Sequence, residues 1–108
     1  MATLSRVGVA VGFLAGWTVA QAGDEETLAI SRLEALPCSG KTIGERLAEE
    51  ILKHSRRDLG WRIFEGEGYR DLERSLRVSK AMEIRYRWRS RASGVPEPIS
   101  EAAKGLCP

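Results

Sequence analysis

The chain has 108 residues, with 17 basic and 15 acidic side chains, one histidine, two cysteines and a net charge of +2. That length allows one domain at most. Two cysteines and one histidine fall short of the four ligands a structural zinc site needs, so no metal or other cofactor is expected. The near-balanced total hides an asymmetry: Gly23–Glu50 is mainly acidic, whereas Ile51–Ala92 carries twelve bases against six acids.

The first element reads as an export signal. Arg6 supplies a positive start and Val7 to Ala20 an apolar run broken only by Thr18. Ala20-Gln21-Ala22 fits the small-x-small cleavage rule, and Gly23-Asp24-Glu25-Glu26 then turns acidic. These features predict a cleavable secretory signal peptide over 1–22, followed by a single small domain over 23–108 that is periplasmic or secreted. A spanning helix needs about 20 apolar residues. This run is shorter and holds Gly8, Gly12 and Gly16, so no transmembrane span is expected after cleavage.

Asp24 is placed to cap a minor first helix, with Glu25 and Glu26 in its opening turn and Pro37 after its end. Cys38 and Cys107 are the only cysteines. In an exported chain they are expected to form a disulfide. Closing a loop of about 70 residues is worth roughly 4 kcal/mol in the chain-entropy model. Ser39-Gly40-Lys41-Thr42 copies the end of a phosphate-binding loop, but position 35 is Ala35 and no strand precedes it. Thr42 and Glu45 instead form a T-x-x-E capping box. Ile43, Leu47, Ala48, Ile51 and Leu52 then recur at helical spacing, which predicts a helix over about 42–57 with Gly60 as its stop.

Trp61-Arg62-Ile63-Phe64 has the content of a short strand, and Gly66-Glu67-Gly68 reads as a turn. Residues 69–80 stay open between helix and strand. Tyr69, Leu72 and Leu76 suit a helix, while a hairpin turn at Ser79-Lys80-Ala81 lacks the usual Gly or Asn. From Met82 to Arg89 the alternation is perfect, which predicts a half-buried strand at about 82–90. Met82, Ile84, Tyr86 and Trp88 lie on its core face. After a loop at 93–98, Ser100 is placed to cap a short C-terminal helix over 101–104, ended by Gly105. The fold expected is α+β, with a small antiparallel sheet over about 61–90 packed against the 42–57 helix and joined at its ends by the disulfide.

No set of residues converges on a reaction. His54 is alone near a helix end, and the pairs Glu65 with Glu67 and Asp71 with Glu73 sit among arginines, as exposed ion pairs do. The candidate surface is the basic strand. Arg85, Arg87 and Arg89 project from one face at steps of roughly 7 Å, with Arg91 and Arg77 as extensions, and guanidinium forks suit carboxylates and phosphates. The competing reading is a solvated sheet face whose arginines pair with Glu83, Glu65, Glu67 or the acidic front. The function expected is a non-catalytic binding or inhibitory module of the cell envelope that acts on an acidic protein. A module for an anionic envelope polymer or membrane headgroups is the alternative, and a small enzyme ranks last. Export sets nucleic acid aside as a natural partner.

Overall fold

The structure, a computed structural model, describes residues 17–108. Most of the expected signal segment, residues 1–16, lies outside the described residues. Residues Trp17–Glu34 form helix α1. Asp24 is therefore an interior position and not a cap, because Ala20, Gln21 and Ala22 are strong helix formers that carry the helix upstream. Residues 32–108 form a compact unit, which begins in the last turn of α1.

In that unit, β1 (Pro37–Cys38) and β2 (Lys41–Thr42) make a small hairpin. Ser39 and Gly40 turn it with φ of 54° and 86°, the paired positive values of a type I′ turn. The segment that copies a phosphate loop is thus a hairpin turn. Arg46 of the next helix closes over it, donating from Nε to the Cys38 carbonyl at 3.0 Å and from Nη2 to that of Ser39 at 2.6 Å.

Helix α2 covers Ile43–Lys53, and its capping box is complete. The Glu45 amide donates to Thr42 Oγ1 at 3.1 Å and the Thr42 amide to Glu45 Oε1 at 2.8 Å. The helix ends earlier than the 57 expected. Ser55 takes the left-handed conformation, φ 51°, and the Ser55 and Arg56 amides turn back to the carbonyls of Leu52 and Ile51, closing a Schellman motif. Serine here takes the place usually held by glycine. Gly60, expected as the stop, serves a strand bulge instead.

Three long strands follow: β3 (Arg57–Gly66), β4 (Tyr69–Ser79) and β5 (Met82–Arg91). A short strand β6 (Glu97–Pro98) pairs with Trp88 and Arg89, so the antiparallel sheet runs β3-β4-β5-β6. The open question over 69–80 resolves as strand. Glu67 and Gly68 turn β3 into β4, with Gly68 at φ 78°. Lys80 and Ala81 turn β4 into β5 without a positive φ, beside a register shift at Val78. That bulge supplies the twist the turn residues do not. Helix α3 (Glu101–Leu106) includes Gly105, expected to end it. Its cap Ser100 Oγ accepts from the Ala103 amide at 3.1 Å and from the Arg87 amide at 2.9 Å. One hydroxyl thus caps α3 and moors it to β5.

Alternation assigns the two sheet faces. Trp61, Ile63, Leu72, Leu76, Ile84, Tyr86 and Trp88 share the inner face, on the side of the helices. Leu33, Ile43, Leu47, Ala103 and Leu106 complete the core. Each fully buried leucine stabilises the fold by about 2 kcal/mol. Arg74 shares the inner face and ties three elements: Nε donates to Asp58 Oδ1 at 2.8 Å, Nη2 to Asp58 Oδ2, and Nη1 to Glu34 Oε2 at 3.3 Å. Glu34 also accepts from Trp61 Nε1. The close seat of α2 on the end of α1 needs Gly44, where a Cβ would meet Glu34 Cβ at 3.1 Å.

Cys38 and Cys107 are bonded. The bridge joins the β1–β2 hairpin to the residue after α3, not the ends of the sheet. It closes a separation of 69 residues, so Cys38→Ser is expected to lower stability by up to about 4 kcal/mol. The measurement is a thermal midpoint that falls in the variant and falls equally when the parent protein is reduced.

Candidate functional site

The outer sheet face carries the arginines singled out in the sequence, and antiparallel register sets them against acids of β4. Cross-strand partners place Asp71 beside Arg89 and Glu73 beside Arg87, with Phe64 and Arg62 on the far side. Asp71 is 1% exposed and Glu73 4% exposed, so the acid pair expected at the surface is buried. Arg89 grips Asp71 with a fork, Nε to Oδ1 at 2.8 Å and Nη2 to Oδ2 at 3.0 Å. Arg87 donates to Asp71 from Nε at 3.1 Å and reaches Glu73 from Nη1 at 3.5 Å. Arg62 Nη2 closes on the other Glu73 oxygen at 3.1 Å. The result is one ribbon across three strands, Arg89–Asp71–Arg87–Glu73–Arg62, with three cations and two anions.

Aromatic rings hold the guanidinium groups in place. The Arg87 and Arg62 groups lie 4.4 and 5.8 Å from the Phe64 ring centre, and Arg89 lies 3.9 Å from that of Tyr69. Tyr69 in turn rests on Gly66, where an added Cβ would fall 2.2 Å from the ring. Cation–π contacts of this kind contribute about 0.5–2 kcal/mol each. In this layer Arg87 and Arg89 use some of their donors inward and keep others at the surface.

The remaining candidates sit at the two ends of the row. Arg85 and Arg77 both reach Glu83, at 3.4 and 3.5 Å. Arg91 is exposed and makes no ion pair with a described residue. It borders a shallow depression of about 360 Å³ lined also by Tyr69, Arg70, Ser90 and Glu65. Structure therefore gathers Arg87 and Arg89 around a common acid, leaves Arg77 and Arg85 sharing another, and leaves Arg91 unspent. Of the expected partner acids, Glu83 is used, Glu65 goes to Arg70 at 2.7 Å, and the acids that matter most are Asp71 and Glu73. The signal that could have found them is Asp-x-Glu on one strand matched to Arg-x-Arg on its neighbour.

His54 is the exposed C-cap of α2, with Nε2 at 3.9 Å from Glu50. Asp71 is spoken for. The Arg89 hydrogen bonds, aided by both arginine charges, hold its carboxyl below the usual carboxylate range against the opposing effect of burial. Hydrogen bonds from Arg74 do the same for Asp58, again against burial, with help from the Gly60 amide. In comparisons with known proteins, no family model, curated protein or solved structure matches the chain.

Two expectations follow from this geometry. Replacing Arg87 and Arg89 together by serine leaves a buried charge without its partners, a loss of about 3–5 kcal/mol, read as the urea midpoint; an unchanged midpoint would show that the ribbon is ornamental. Both carboxyls bind protons less readily folded than unfolded. Their stabilisation is therefore complete above the unfolded value near 4 and drains away as pH falls through the lower folded values. Urea stability should hold from neutral pH to about pH 5 and fall below about pH 4, and Asp71→Asn should flatten that acid limb.

Proposed function

We propose that this chain is an exported, non-catalytic binding module that docks an acidic protein of the cell envelope on the outer face of its sheet. Export rests on the Arg6, Val7–Ala20 and Ala20-Gln21-Ala22 pattern, and the Cys38–Cys107 bond fits an oxidising compartment. The observation that carries the binding reading is the ordered guanidinium layer. Arg87 and Arg89 are fixed by Asp71, Phe64 and Tyr69 before any partner arrives, so little side-chain entropy is lost on docking. Arg85 and Arg91 flank that layer with charge that is shared or unspent. Arg77 extends it beyond Arg85.

The even two-residue spacing from Arg85 to Arg91 also suits an anionic envelope polymer. The two readings differ in salt dependence. A folded acidic partner gives a stoichiometric complex at physiological salt, whereas a polymer gives binding that collapses steeply as salt rises.

Arg87 and Arg89 are poor test positions because their loss destabilises the fold. Arg85→Ser/Arg91→Ser removes the flanking charge and leaves the ribbon whole. Cross-linking of the oxidised protein in its native envelope at physiological salt should trap one discrete complex, and the double variant should trap it at least about tenfold less. Equal trapping by variant and parent overturns the arginine-face reading.

A further inference from the structure

One end of the sheet combines two features. There β3 begins, β4 turns into β5, and α2 delivers the chain through His54, Ser55 and Arg56. Met82 is 58% exposed and Val78 is exposed on the other side of the same turn, while Leu52 and Leu59, in the segments that lead into and along β3, are exposed as well. The helical stripe that should have buried Leu52 ends before it, because only Ile43 and Leu47 of α2 are buried. The second feature is unspent charge. Among the described residues 32–108, the cations without an ion partner are Arg32, Lys53, Arg57, Lys80 and Arg91, and strand register puts Arg57 and Lys80 at this end. The acids nearby are committed: Asp58 to Arg74, and Glu83 to both Arg77 and Arg85.

We propose that this end seats on the surface of an anionic lipid bilayer, with the Lys80-Ala81 turn leading and Val78 and Met82 entering the interfacial layer. The apolar side chains are interleaved with an unpaired cation along the turn (Val78, Lys80, Met82). A soluble polyanion would engage the cations and leave the apolar groups in water. A bilayer offers phosphate and acyl carbon at adjacent depths, so it takes both at once. Long Lys and Arg side chains reach headgroups while their stems lie along apolar surface. No helix among the described residues is long and apolar enough to cross a membrane. The proposal uses residues other than the Arg85–Arg91 row and does not rest on the reading of that face.

The test is co-sedimentation of the full, oxidised protein with vesicles at physiological salt, using equal parts phosphatidylglycerol and phosphatidylcholine against phosphatidylcholine alone. The protein should follow the anionic vesicles and not the neutral ones. Arg57→Ser/Lys80→Ser should weaken binding about 25-fold, from roughly fivefold per cation. Val78→Ser/Met82→Ser should weaken it at least about fivefold with the charge intact. All four positions are exposed, and an unchanged thermal midpoint confirms that each variant is folded. Failure to bind anionic vesicles overturns the proposal. So does binding that ignores Val78→Ser/Met82→Ser, which marks purely electrostatic attraction. Retention on immobilised polyglutamate but not on vesicles, lost in Arg57→Ser/Lys80→Ser, would reassign this end to an acidic protein.

Discussion

A carboxylate buried in the central strand constrains most of what surrounds it. Asp71 is almost fully withdrawn from water on a sheet face that no helix of the 32–108 unit covers. An ion in that position is tolerable only if its oxygens are saturated. Arg89 and Arg87 saturate them, and the stems and guanidinium planes of those same arginines are what exclude the water. Glu73 repeats the arrangement one step along, with Arg62 arriving from the other neighbour. The pairing also fixes register. A slip of one residue between β4 and β5 would put the acids on the helix side and the leucines outside. Ionic and apolar faces therefore specify the same alignment, each reinforcing the other.

The inner face shows the same logic with a different outcome. Arg74 lies among Leu72, Leu76 and Trp61, a position that periodicity would give to an apolar side chain. Its guanidinium sits 5.4 Å from the Trp61 ring centre and binds Asp58 and Glu34. The ion pairs fasten the end of α1 and the start of β3 to the middle of the sheet. An aliphatic side chain there would pack as well but would leave Glu34 and Asp58 to the solvent, and the end of α1 would lose its anchor. Gly44 permits the next contact, and Ser100 the last, since its hydroxyl serves β5 and α3 together. The fold is thus held by a modest apolar core whose edges are pinned by named polar contacts and by the disulfide.

These pinning contacts explain what could be read from the sequence and what could not. The strand at 82–91, both helix caps and the cysteine pair were legible because each has a local signature: alternation, Thr42 with Glu45, Ser100, and two cysteines only. Residues 69–79 were not, because Arg74 holds the inner-face position between Leu72 and Leu76 and interrupts the apolar alternation. Leu72 and Leu76 then mimic a helical i,i+4 pair. The end of α2 escaped notice because Ser55 adopts the conformation that glycine usually advertises, and the Lys80-Ala81 turn because its twist comes from the bulge at Val78. The arginine row itself was plain in the sequence. Its partners were not, since an acid pair looks the same whether it is solvated or buried, and only the match between Asp71/Glu73 and Arg89/Arg87 across strands distinguishes them.

That match changes what the arginine row offers a partner. Counted along the strand, Arg85 to Arg91 is four like charges and a field that attracts any polyanion. Set against Asp71, Glu73 and Glu83, its middle is nearly neutral and its positive potential concentrates at Arg91 and at the Arg85–Arg77 end. Six residues of strand separate Arg85 from Arg91, about 20 Å, twice the screening length at about 0.1 M salt. Two foci at that separation act independently. On the docking reading proposed above, a partner that meets both carries two acidic groups at that spacing. The charge this face presents lies at its ends, because that of its middle is spent on burying Asp71 and Glu73.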